Sequence, residues 1–193
     1  MNKIKLNFSK TIILAVLIIT VLIGSLVMFK NNDVLLNKLN DNKSLIEKYN
    51  EFKTGGNNKT ILFPENLIEN IIDTATSYIG TPNKIGGISK QGIDASGLVY
   101  VSIQKNSKIE FPRIAQEMAR YGEVISNPDL LKRGDLVFFF DTYEVDRIIT
   151  SVGIYLGDGK FINSSSSKGV TVSEINDPYY WKQKFFYGTR ILN

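Results

Sequence analysis

The sequence predicts an α+β domain, helices first and an antiparallel sheet after them, carried behind one apolar membrane-spanning segment. Three observations lead there. Residues 64–120 place apolar side chains at helical spacing, and residues 135–192 hold short apolar runs at strand spacing between turn residues. Thr11–Phe29 is nineteen residues without a charge. Helical runs that precede strand runs, instead of alternating with them, argue for helices packed on one face of an antiparallel sheet.

The elements follow in order. Pro64 suits a first helical position, and Leu67, Ile68, Ile71, Ile72, Ala75 and Ile79 keep helical spacing until Gly80 stops the run. Residues 81–93 read as a Gly-rich loop. Asp94 is a natural N-cap for a second helix that turns Leu98, Val99 and Val101 inward. A short helix is expected over Ala115–Arg120, after Phe111-Pro112-Arg113. The turn Lys132-Arg133-Gly134 then leads into a buried strand at Asp135–Phe140. Asp158-Gly159, between SVGIYLG and KFINS, is the dipeptide of a tight hairpin. GVTVSEI alternates cleanly, and FFYGTRIL supplies a closing strand, so the sheet reads as a meander. For Tyr179-Tyr180-Trp181 the expectation is that at least two rings pack beneath the sheet, against an exposed aromatic platform for glycans or partners.

A helix over residues 11–29 nearly crosses a hydrocarbon core of about 30 Å. Lys3, Lys5 and Lys10 precede it, which predicts a cytoplasmic N-terminus and an exported domain. The reading is a single-pass anchor in the cell membrane, with a cleaved signal peptide, and so a secreted or periplasmic domain, as the alternative. With no cysteine to acylate, a lipoprotein is excluded. The organisation is therefore a basic tail (1–10), the anchor (11–29), a polar helical spacer and linker (30–62) and a globular domain (63–193). Four of the 23 basic residues lie in the first 30 with no acid among them, so the other 19 face 19 acidic residues. The basic excess marks membrane topology, and no nucleic-acid partner is expected.

The chain contains neither cysteine nor histidine. Thiolate catalysis, thiolate metal sites and imidazole bases are therefore excluded. No cofactor is expected, and no D-x-D-x-D-G loop signals a metal site.

Six collinear pieces carry a family resemblance: YIGTPNKIGG, GIDASGLV, FPRIAQEMARYG, LKRGDLVFF, SVGIYLGDGKFINSSSSKGV and YGTRIL. Together they resemble the NlpC-type cell-wall peptidases, papain-like enzymes that cut peptidoglycan stem peptides. The resemblance implies a papain-like fold, with a catalytic cysteine at the N-terminus of the central helix, where helix dipole and free N–H groups favour a thiolate. It also implies a histidine base at the start of the HVGIY strand and a polar residue that orients it about a dozen positions later. Those positions here are Ala95, Ser151 and Asn163. A methyl group cannot attack a carbonyl and a serine cannot serve as the base, so the resemblance is to a degenerate member. Asp94, Gly97, Gly134-Asp135 and Gly153 persist, each with a structural reason: a cap, close packing, a turn and a tight strand crossing.

The function expected is that of an extracytoplasmic, membrane-anchored pseudoenzyme that binds or scaffolds at the cell envelope. Its binding candidates are Asp94, Ser96, Asn83, Arg113 and Ser164. The partner is an envelope protein or a peptidoglycan stem peptide, and the altered loop Asn83-Lys84-Ile85 tilts the choice towards a protein. The alternative is a divergent cell-wall hydrolase that uses another nucleophile such as Ser96, with Lys84 or Lys90 as a candidate base. One helical step turns a side chain by ~100°, so Ser96 does not point where a thiol at position 95 does.

Overall fold

The computed structural model describes residues 64, 66–143 and 147–191. The predicted tail, anchor and spacer lie outside the described residues, and among those described no helix is long and apolar enough to cross a membrane.

Helix α1 spans Asn66–Thr76 and buries Ile71, Ile72 and Ala75. It starts two residues after Pro64, whose carbonyl accepts from Leu67 N at 2.9 Å, so the proline precedes the helix instead of opening it. Ile79 is also corrected: it lies past the helix end, 52% exposed, because a turn carries the chain off helical phase. Residues 81–93 are not only loop. They form a small hairpin, β1 (Ile88–Ser89) with β2 (Gly92–Ile93).

Helix α2 (Ala95–Asn106) is the central helix. Asp94 caps it as predicted, accepting from Gly97 N. Leu98, Val99 and Ile103 have no exposed surface, and burying each stabilises by roughly 1.5–3 kcal/mol relative to exposure. The helix packs against α1 on one side and on strands of the sheet on the other. Helix α3 (Ala115–Met118) is shorter than predicted.

Strands β3 (Glu123–Ile125), β4 (Leu136–Phe139), β5 (Ser151–Gly157), β6 (Lys160–Ser165), β7 (Gly169–Glu174) and β8 (Phe185–Arg190) form one sheet in the order β3-β8-β4-β5-β6-β7. Every pairing is antiparallel. The meander holds for β4 to β7, but β8 does not lie beside β7. It inserts between β3 and β4. The β5–β6 turn has positive φ at both Asp158 (52°) and Gly159 (72°), the type I′ geometry that the Asp-Gly pair predicts.

The sheet is covered on both faces. Val152, Ile154 and Ile162 lie on the face where α2 packs. On the other face Val137, Phe139, Tyr155 and Phe161 form a cluster with Ile175 and Trp181. Trp181 opens the short helix α4 (Trp181–Lys184). Its ring centroid lies 4.7 Å from that of Phe139 and 5.1 Å from that of Phe161. Of the aromatic triplet only this residue packs under the sheet, because Tyr179 is 91% and Tyr180 39% exposed. The expectation of two buried rings fails because Asp177 accepts from Tyr179 N and turns the chain outward just before α4.

Candidate functional site

The site is built around the N-terminus of α2. Asp94 Oδ1 accepts from Gly97 N at 2.6 Å and Oδ2 accepts from Gly86 N at 2.6 Å. Arg113 reaches the same carboxylate with two nitrogens, each at 2.9 Å. The guanidinium also donates to Ser96 Oγ at 2.8 Å and to Gly87 O at 3.0 Å. Such a two-pronged pair fixes orientation as well as charge. Gly97 is needed here: a Cβ on it falls 2.3 Å from Gly87 O and 2.9 Å from an Arg113 nitrogen. Asp94, Ser96 and Arg113 are thus one interlocked unit.

Asn83 and Ser164 form a second unit. Asn83 Nδ2 donates to Ser164 Oγ at 2.9 Å, and that hydroxyl donates to Ile93 O at 2.7 Å. Ser164 is 4% exposed and its hydroxyl is committed to holding the loop before α2 against β6. The polar atoms of both units are spent largely on one another.

Between these units and the opposite wall lies an open cleft of about 860 Å³, within the usual size of small-ligand sites. Ala95 and Ser151 both line it, as do all five binding candidates. The far wall comes from Thr142, Tyr143, Arg147, Ile149, Thr150 and Ser151, and hydrogen bonds pin it at Thr142 and Ile148. Thr142 N and Oγ1 donate to Thr150 Oγ1 at 2.9 and 2.8 Å. Gln116, on α3, accepts from Ile148 N at 3.0 Å.

Asn163 stands apart. It has no exposed surface, does not line the cleft, and among the described residues neither its amide oxygen nor its nitrogen has a partner. By strand alternation it lies on the same face as Phe161, beside Gly153. Ser151 pairs with Phe139 and lies on that face too. Gly153 lets β6 pack close at this point, since a Cβ there falls 2.6 Å from the Phe161 ring and 3.3 Å from Asn163 Cβ. A buried amide left without partners costs about 1–3 kcal/mol.

The chemistry open to this arrangement is limited. Ala95 offers a helix N-terminus but no nucleophile. Ser96 Oγ faces a guanidinium, which holds five donors and takes no proton, and donates to Asp94 Oδ1 at 3.2 Å. Lys90 is turned elsewhere: its amine donates to Ser77 O at 2.8 Å and lies 5.3 Å over the Tyr78 ring. The stem of Lys84 packs against Gly92.

Sequence reasoning missed the interlock between Asp94 and Arg113, nineteen residues apart. It read Asp135 only as a turn residue. Asp135 is 1% exposed and holds Arg190 at 2.8 and 3.0 Å, which ties the start of β4 to the end of β8.

The NlpC/P60 family model matches residues 80–190. The chain belongs to the NlpC/P60 family. Among curated relatives, the Escherichia coli murein DD-endopeptidase/murein LD-carboxypeptidase is 34% identical over 135 residues, 67% of this chain and 69% of that protein. The γ-DL-glutamyl hydrolase of Bacillus subtilis is 39% identical over 115 residues, 59% of this chain and 27% of that protein. A solved NLP/P60-family protein from Staphylococcus aureus, similar to a lipoprotein, superposes with a TM-score of 0.59 at 26% identity, covering 72% of this chain and 45% of that one. These likenesses place the NlpC/P60 domain of this chain among cell-wall hydrolases by family. The hydrolytic activity itself is stated for the named relatives, and their names favour the hydrolase reading over the scaffold.

Proposed function

We propose that this NlpC/P60 domain binds the stem peptide of peptidoglycan in the cleft beside Ala95 without cutting it. One observation carries the reading: an open cleft of about 860 Å³ is lined by Ala95 and Ser151, in a chain with no cysteine and no histidine. The groups that activate an acyl-transfer nucleophile are missing while the space for a peptide is kept. The family relationship supports peptidoglycan as the partner, in place of the envelope protein that the Asn83–Ile85 loop suggests. The apolar segment 11–29 and its preceding lysines support a membrane anchor that holds the domain outside the cytoplasm.

The named relatives favour a second reading, a divergent hydrolase with a non-cysteine nucleophile such as Ser96. Incubating the purified domain with defined muropeptides separates the two. The expected result is saturable binding with no new amine termini. Cleavage that disappears in Ser96→Ala overturns the binding-only reading. Membrane fractionation of cells that express the full chain checks the anchor, with the protein expected in the membrane pellet.

A further inference from the structure

One corner of the cleft is chemically unlike the rest. Tyr143 and Tyr180 line it, and both are exposed, at 52% and 39%. Tyr180 Oη donates to Thr142 O at 3.3 Å, which brings its ring next to the residue before Tyr143. Trp181 lies beneath, its ring 4.8 Å from that of Tyr180 and nearly perpendicular to it at 88°. Ser173 and Asp177 line the same cleft from β7 and the turn before α4. Exposed large rings at a cleft mouth call for an explanation in a way that scattered surface residues do not. Tyr180 is held in place by that hydrogen bond, by the Trp181 ring and by the Lys184 amine 5.2 Å from its own ring centroid.

We propose that this corner is a pyranose subsite, and that the domain selects stem peptides still joined to their amino sugar. The proposal rests on the stem-peptide reading above and extends it. A pyranose ring has an apolar face of C–H groups and a rim of hydroxyls. Rings such as Tyr143 and Tyr180 supply apolar surface together with a polar tip. Ser173 and Asp177 supply a hydroxyl and a carboxylate of the kind that bonds a hydroxyl rim. The corner is continuous with the peptide cleft, as the sugar is continuous with its peptide, so one ligand fills both. A free peptide fills the cleft alone and leaves the rings in water.

The test compares two probes by calorimetry on the purified full chain: a disaccharide-linked stem peptide and the same peptide without sugar. The sugar-linked probe is expected to bind about five- to tenfold more tightly. Tyr143→Ala is expected to abolish that advantage, read as the ratio of the two affinities, while Tyr143→Phe, which keeps the ring, retains it. Because Tyr143 is exposed, the Ala variant should melt as the parent does, which separates a lost contact from a lost fold. Equal affinity for the two probes, or an advantage that survives in Tyr143→Ala, overturns the sugar subsite and leaves the stem-peptide reading standing. Failure of both probes to bind overturns both readings.

Discussion

Replacing Asp94 with alanine tests the physical picture of the site most directly. The carboxylate caps α2 through Gly97 N, and that loss costs about 1 kcal/mol. It also neutralises Arg113, whose side chain is 31% exposed against 20% for Asp94. Partial exposure discounts this pair, and Arg113 keeps Ser96 Oγ and Gly87 O as acceptors. Removing the carboxylate then adds roughly 1–2 kcal/mol, between a surface pair and a buried one. The amide of Gly86 lies at an exposed position where water replaces the lost acceptor. The total is about 2–3 kcal/mol, or a fall of about 6–12 °C in Tm for a domain of this size. Asp94→Asn should cost about 1–2 kcal/mol, because its amide oxygen keeps the cap while the charge is lost and its NH2 replaces the oxygen that accepts from Gly86 N and Arg113. Thermal melts and urea unfolding of the two variants provide the measurement. A loss below about 1 kcal/mol in Asp94→Ala, or equal losses in both variants, refutes the division into cap and ion pair.

Three further outcomes are expected. Asn163→Val should raise stability by about 1 kcal/mol in urea unfolding, since it removes two buried atoms that have no partner among the described residues and suits a strand; a loss shows that the amide is satisfied. Ala95→Cys with Ser151→His should yield a thiol that alkylates at lower pH than free cysteine, as both positions line one cleft and the cysteine begins a helix. An unshifted alkylation profile counts against that assignment of positions. The hydrogen bond from Arg133 holds the Glu69 carboxyl below its ordinary value of 4.5. A depressed folded value means that the stabilisation is present above pH 4.5 and lost as pH falls through the lowered one. Glu69→Gln should therefore flatten the acid side of the Tm–pH curve, by well under about 1 kcal/mol for so exposed a pair; an identical acid limb shows the bond to be idle.

Much of the fold was legible in local chemistry. Asp94 announced a helix start, Asp158-Gly159 a tight hairpin, and the run at 136–139 a strand buried on both faces. What escaped depended on partners distant in sequence. The place of β8 between β3 and β4 is a choice among pairings that no local pattern encodes. β3 went unread because its three residues are mostly exposed. Motif order pointed to Ala95 and Ser151, and both line one cleft. The commitment of Ser164 to Asn83, eighty-one positions away, was not legible. Nor was the isolation of Asn163, which only burial and the absence of a partner reveal.

Gly80, Thr81 and Gly169 have one more consequence. β7 is the outer strand of the sheet, and its Val170 exchanges hydrogen bonds with the loop that precedes the cleft, Gly80 N to Val170 O and Val170 N to Thr81 O, both at 2.9 Å. Gly169, at φ 66°, lets that loop lie close, since a Cβ there falls 2.3 Å from Thr81 O. The loop therefore acts as a short strand guard: it occupies backbone groups that an unpaired margin otherwise offers to another chain. Pulling Gly80 and Thr81 away would uncover that edge at Val170, so the turn that leads to Asn83 at the cleft also protects the domain from self-association.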